Sequence, residues 1–168
     1  MLDPKGDAAS IIRYFESYTG TIVDSGLPDG ISNNEDTSLL ELADKAIAFT
    51  VLAATCEAAA VGLGSGIKPE VQLELLNAGT ACSYWSENVV APQVMSRCFE
   101  SGITIEDACE VLKEYLAYAK RSGLPDGLVT CVLEVWENTG NELGTDRDIT
   151  ELIRRYEKLV GVEFSGTA

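Results

Sequence analysis

Apolar residues at helical spacing run through most of this chain. Between Asp7 and Tyr18 the positions Ala8, Ile11, Ile12, Phe15 and Tyr18 recur at three- and four-residue intervals, which predicts a short amphipathic helix. Thr19 and Gly20 end it, and Thr21 to Asp24 reads as one short strand closed by the turn sequence SGLPDG at 25–30. A lone strand leaves backbone donors and acceptors unpaired, so it demands a partner elsewhere. After a polar loop, 31–37, an alanine-rich helix is expected over 38–62, nearly free of charge beyond Lys45. A helix apolar around most of its circumference must be buried on several sides, in a bundle or across a dimer interface. Gly62, Gly64 and Gly66 stop it.

The rest alternates helix and turn. Pro69 to Leu76 predicts a short helix with proline at its start. Ala81 to about Val90 predicts another, interrupted by Pro92 before Val94 to Phe99. Thr104 and Asp107 form a capping-box-like start for a helix to Ser122, with Ile105, Ala108, Cys109, Leu112, Leu116 and Ala119 as its inner face. Leu128 to Glu137 is a further helix, and Thr145 to Asp148 begins the last, which runs to about Val160. The tail from Phe164 onward is expected to fray. SGLPDG returns at 122–127, but the flanks of the two copies do not match. Gly123 fits a helix end and Asp126 the N-cap of the next helix, so the repeat is turn chemistry used twice.

This pattern gives a mainly α fold, a helical bundle with one short N-terminal strand. The chain has 168 residues, 46% hydrophobic and 23% charged, enough for one domain with a real core. A formal charge of −15 would repel a phosphate backbone or an anionic membrane surface, so no nucleic acid and no membrane is expected as partner. The most apolar stretch, Ala46 to Cys56, is short for a bilayer and bracketed by Lys45 and Glu57. No signal peptide is visible at the first residues, which favours a cytoplasmic location. Five scattered cysteines without a CxxC pair read as free, buried thiols in a reducing compartment. The chain contains no histidine, which removes histidine triads, proton shuttles and histidine metal sites.

No phosphate-binding glycine loop opens a helix, and no metal cluster stands out, so neither cofactor nor metal is expected. Most carboxylates belong to solvated helix faces. The pair Tyr84 and Trp85, beside Ser83 and Ser86, offers walls for a small-molecule pocket or core with one polar tip satisfied.

The string LELLNAGTACSYWSENVV, the helix that ends in SGLP, and the terminal GTDRDITELIRRYEK together resemble the C-terminal helical domain of the β-hydroxyacid dehydrogenases, which include 3-hydroxyisobutyrate dehydrogenase and resemble 6-phosphogluconate dehydrogenase. The preceding IIRYFESYTGTIVDSG is similar to the last helix and strand of that family's Rossmann domain. The resemblance implies two parts, a Rossmann remnant at 1–30 and an all-α domain at 31–168, and gives the lone strand a sheet to which it would belong.

In that family the long interdomain helix opens with a glycine and then Lys-x-x-Asn-Asn, whose lysine is the catalytic acid/base. The resemblance sets this motif on Glu41 to Lys45, with Asp44 and Lys45 at the asparagines and Thr37 at the glycine. A second family lysine, which approaches the cofactor, falls on Glu110, with Lys113 close in sequence. A lysine can protonate a developing alkoxide where an ionised glutamate would repel it, so hydride transfer is not expected of this chain alone. Glu41 also closes a capping box from Ser38.

Three functions follow as expectations. The first is a non-redox helical domain that forms a homodimer through the 38–62 helix and binds a small apolar or hydroxy-acid metabolite, with Asp44, Lys45, Ser83, Tyr84 and Trp85 as contacts. The second is a repurposed cyclase, isomerase or dehydratase with Glu41 or Glu110 as acid/base. The third is a fragment or subunit of an NAD(P)-dependent oxidoreductase.

Overall fold

The computed structural model describes residues 34–166, and side-chain surroundings from residue 39 onward. The expected helix at 7–18, the strand at 21–24, the first SGLPDG turn and the whole 1–30 part lie outside the described residues. The chain divides into two units, Met1–Lys45 and Ala46–Ala168. Among the described residues there is no strand, only a single antiparallel bridge between Thr104 and Asp148.

Five α-helices occur among the described residues: α1 (Asn34–Gly64), α2 (Pro69–Ala78), α3 (Ile105–Arg121), α4 (Gly127–Leu143) and α5 (Leu152–Val160). A π-helix, Trp85–Met95, lies between α2 and α3, and a 3₁₀ turn, Ile149–Glu151, leads into α5. In the second unit, α3 and α4 pack as an antiparallel pair and α5 lies against α4. The π-helix packs on α2 and on the 3₁₀ turn.

The long helix starts at Asn34, ahead of Ser38. Glu41 therefore sits inside α1 and does not close a capping box at its start. Within the second unit α1 buries Ala46, Phe49, Leu52, Ala53, Cys56, Ala59, Ala60 and Leu63. Phe49 meets Trp136 of α4 edge to face at 6.2 Å, and Trp136 is fully buried. The opposite side of α1 is not covered: Ile47 is 64% and Val61 68% exposed. Leu39–Gly64 is long and apolar enough, by length and composition alone, to cross a membrane, a property that Ala46 to Cys56 alone does not have. Of its most apolar window, 44% is buried inside the protein.

The α3 start follows the sequence pattern. Thr104 Oγ1 accepts from the Asp107 N–H at 3.1 Å while the Asp107 carboxylate accepts from the Thr104 N–H at 2.8 Å. At the other end Gly123 has φ +65°, its N–H donates to the Lys120 carbonyl, and Leu124 N–H donates to the Ala119 carbonyl. This pair of bonds is a Schellman closure, and it explains why SGLP stands there. Asp126 does hold the N-cap position of α4, without a side-chain capping bond.

Three expectations need correction. Pro92 does not interrupt its helix, because the segment winds as a π-helix through it. The wider turn moves the carbonyl that a proline ring meets in an α-helix out of its way. As far as Gly166 the tail is not frayed: Phe164 is 1% exposed and seated in the core. The five cysteines are free, but only Cys56 and Cys109 are buried, while Cys82, Cys98 and Cys131 are exposed. Cys82 and Cys98 lie between helices, where apolar spacing says little about solvent, and Cys131 is on an exposed side of α4.

Candidate functional site

Glu41, Asp44 and Lys45 lie on α1 within the first unit, and each is half-buried. Their i, i+3 and i+4 spacing places them on one helix face. Burial raises the Asp44 carboxyl above the ordinary aspartate range, and the neighbouring Lys45 ammonium pulls it part of the way back.

Ser83, Tyr84, Trp85 and Glu110 belong to the second unit. Ser83 and Ser86 bond reciprocally at the π-helix start: Ser83 N–H donates to Ser86 Oγ at 2.9 Å, and Ser86 N–H to Ser83 Oγ at 3.2 Å. Asn77 of α2 adds a bond from Nδ2 to the Ser86 carbonyl at 3.3 Å. These serines therefore serve the local fold first, fixing how the helix begins. The Tyr84 and Trp85 rings meet edge to face at 6.1 Å, but they part company in burial. Trp85 is buried in the core, and Tyr84 is 44% exposed. Only Tyr84 offers a surface wall.

Glu110 is exposed on α3, whose main partner is α4. Lys113, one turn further along, pairs with Glu137 of α4 at 2.9 Å, and that contact holds its ammonium above the usual lysine range. Lys113 thus serves the α3–α4 contact. No group of three or more Cys, Asp or Glu side chains suited to a metal ion occurs among the described residues.

Two further groups carry shifted chemistry. The Cys56 thiol is pushed up to about 12, by burial first and then by the negative charge of Glu157. The Tyr156 phenol is likewise pushed up to about 12 by burial, with the Glu57 carboxylate adding to it, and its hydroxyl donates to Glu57 Oε2 at 3.3 Å. Both stay protonated near neutrality, so neither is a ready nucleophile.

Residues to which the sequence reading assigns no site role hold parts of the second unit together. The Asp148 carboxylate accepts from Ser101 Oγ, Gly102 N–H, Thr150 N–H and Thr150 Oγ1, stitching the loop before α3 to the 3₁₀ turn. Glu157 receives both terminal nitrogens of Arg97, at 2.5 and 3.0 Å. The capping potential of Asp148 is legible from its place before an apolar run; the Arg97–Glu157 pair, distant in sequence, leaves no local signal.

Residues 39–156 match the family described as NAD-binding of NADP-dependent 3-hydroxyisobutyrate dehydrogenase. The chain belongs to that family. A curated member of similar sequence, the 2-(hydroxymethyl)glutarate dehydrogenase of Eubacterium barkeri, is 27% identical over 116 residues. The match covers 68% of this chain and 38% of that enzyme, so the chain spans well under half of its relative's length. The helical fold is the one expected for a C-terminal domain of the 3-hydroxyisobutyrate dehydrogenase type. Glu41 and Glu110, the positions on which the sequence resemblance sets the family's two lysines, are half-buried and exposed respectively.

Proposed function

We propose that this chain is a helical domain of the 3-hydroxyisobutyrate dehydrogenase family that performs no hydride transfer itself, associates as a homodimer through α1 and holds a small apolar or hydroxy-acid metabolite. What supports the reading is the sequence resemblance, which sets a glutamate, Glu41 and Glu110, on each of the family's two lysine positions. A carboxylate cannot take over the lysine's work of stabilising an alkoxide, since it places like charge beside developing negative charge. Lys113 does not restore the lost cation, because it is paired with Glu137.

The homodimer draws support from the open side of α1. Ile47, Val51, Ala54, Ala58 and Val61 follow one another at alternating intervals of four and three residues, the spacing of a coiled-coil seam. Ile47, Ala54, Ala58 and Val61 are exposed and Val51 is partly so. None of the five is charged, which matters for self-association in a chain of net charge −15.

A second reading, as the helical portion of a larger NAD(P)-dependent oxidoreductase, is favoured by the family's NAD-binding description and by the 38% coverage of the relative. Calorimetric titration with NADH and NADPH, with the molar mass measured by sedimentation on the same sample, separates the two. The first reading expects no cofactor binding and a dimer. Micromolar cofactor affinity would sink it in favour of the second. A thermal-shift screen of small hydroxy acids then tests the metabolite, with Tyr84→Ala expected to weaken any hit.

A further inference from the structure

Beyond α5 the chain turns at Gly161 and is fastened again at two places. The Phe164 ring fills the core while its N–H donates to Glu157 Oε1 at 2.7 Å. Gly166 N–H donates to the Met95 carbonyl at 3.1 Å. Met95 is the last residue of the π-helix, so the tail satisfies one of the carbonyls that a helix end leaves without an internal partner. Glu157 is buried and also binds Arg97, on the turn that leaves the π-helix. That turn is held in an unusual backbone, with Arg97 at φ +63° and Phe99 at φ +54°. Non-glycine residues stay in this region only where their surroundings enforce it. Here the Arg97 guanidinium lies 4.7 Å from the Phe99 ring centre and Arg154 of α5 lies 5.3 Å from it. One carboxylate on α5 therefore fastens both the tail and the exit of the π-helix.

A run of π bonding through eleven residues is uncommon, since π geometry normally survives only as single-turn bulges. Pro92 disfavours α bonding only at its own turn, so the rest of the run needs support from outside the helix. We infer that residues 161–166 form a strap that holds Trp85–Met95 in its π register. With the strap fastened, Gly166 caps Met95 and Glu157 fixes Arg97. With it released, the turns that Pro92 does not occupy relax toward α bonding and rotate the first residues, Trp85 and Ser86, relative to α2. This device is independent of the reading of the chain as a non-redox dimer.

The test is amide hydrogen exchange on the full chain, combined with NMR couplings across the hydrogen bonds of the π-helix. Gly166→Pro removes the tail donor but leaves Phe164 in place, and Phe164→Leu loosens the anchor while keeping an apolar side chain. Both are expected to speed exchange in 85–96, on the order of fivefold for the single bond lost with Gly166→Pro. Exchange in α3 and α4 should stay unchanged, and couplings from i to i+5 should give way to i to i+4. Unchanged exchange in 85–96 would overturn the strap. So would equal acceleration in every helix, which would make the tail a general part of the core.

Discussion

Glycines show how much the energetic meaning of a residue depends on its backbone. Gly144, after α4, has φ +112°, and a Cβ added there would lie 2.8 Å from Asp146 Oδ1. Gly144→Ala is therefore expected to cost about 1–3 kcal/mol from backbone strain alone. Gly127 opens α4 with nothing near its absent Cβ, so Gly127→Ala should instead stabilise by about 0.5–1 kcal/mol. Urea denaturation of both variants checks the pair, and equal effects would refute the reading. Titration gives a second test. Cys56 and Tyr156 are raised to about 12 in the folded protein, from ordinary values of 9.0 and 10.0. The folded state then holds its protons more tightly than the unfolded chain, so their stabilisation is complete below about pH 9 and is lost as pH climbs toward about 12. Tyr156→Phe should make the alkaline fall shallower between about pH 10 and 12, measured as denaturation midpoints across that range.

Among elements, α3 depends most visibly on local chemistry. Thr104→Ala removes the acceptor for Asp107 N–H and is expected to cost about 1 kcal/mol. The Thr104 hydroxyl and N–H hold the Asp107 carboxyl below its usual range, a contribution present above the ordinary aspartate value and lost as pH falls through the folded one. In Thr104→Ala the Asp107 titration should therefore move up, which carbon-detected NMR would follow. The start and end of α3 were legible in sequence because both are local: a capping box, a glycine at positive φ, and an inner face of which only Leu116 is merely half-buried. The π-helix was not legible. Its periodicity is rare and Pro92 ordinarily signals a break, so the sequence pattern splits one element into two. Phe164 was missed for a different reason. A single aromatic beyond the last helix carries no period, and its anchor on Glu157 comes from tertiary packing. The candidate site was legible only as positions: the sequence places Tyr84 and Trp85 side by side, but their opposite burial depends on how the π-helix meets the core.

For the molecule as a whole, the proposed homodimer would form on the uncovered side of α1. The seam from Ile47 to Val61 is roughly 21 Å long and about 10 Å wide. That is a few hundred Å², short of the ~800 Å² per partner of a standard interface, so pairing of two seams is expected to be weak and concentration-dependent. Isologous pairing brings Ala54, at the middle of the seam, close to its own copy across the two-fold axis. Ala54→Glu would then set two carboxylates against each other in a chain already at −15, a repulsion with no partner charge on the seam to offset it. Sedimentation velocity should show this variant as a monomer, with unchanged helical circular dichroism because Ala54 is exposed in the protomer. Ala117→Glu, an exposed alanine on α3, makes the same change in charge away from the seam and should leave the dimer in place. If both variants weaken association alike, net charge controls it and α1 is not the interface. If neither does, the seam is covered by something other than a second copy.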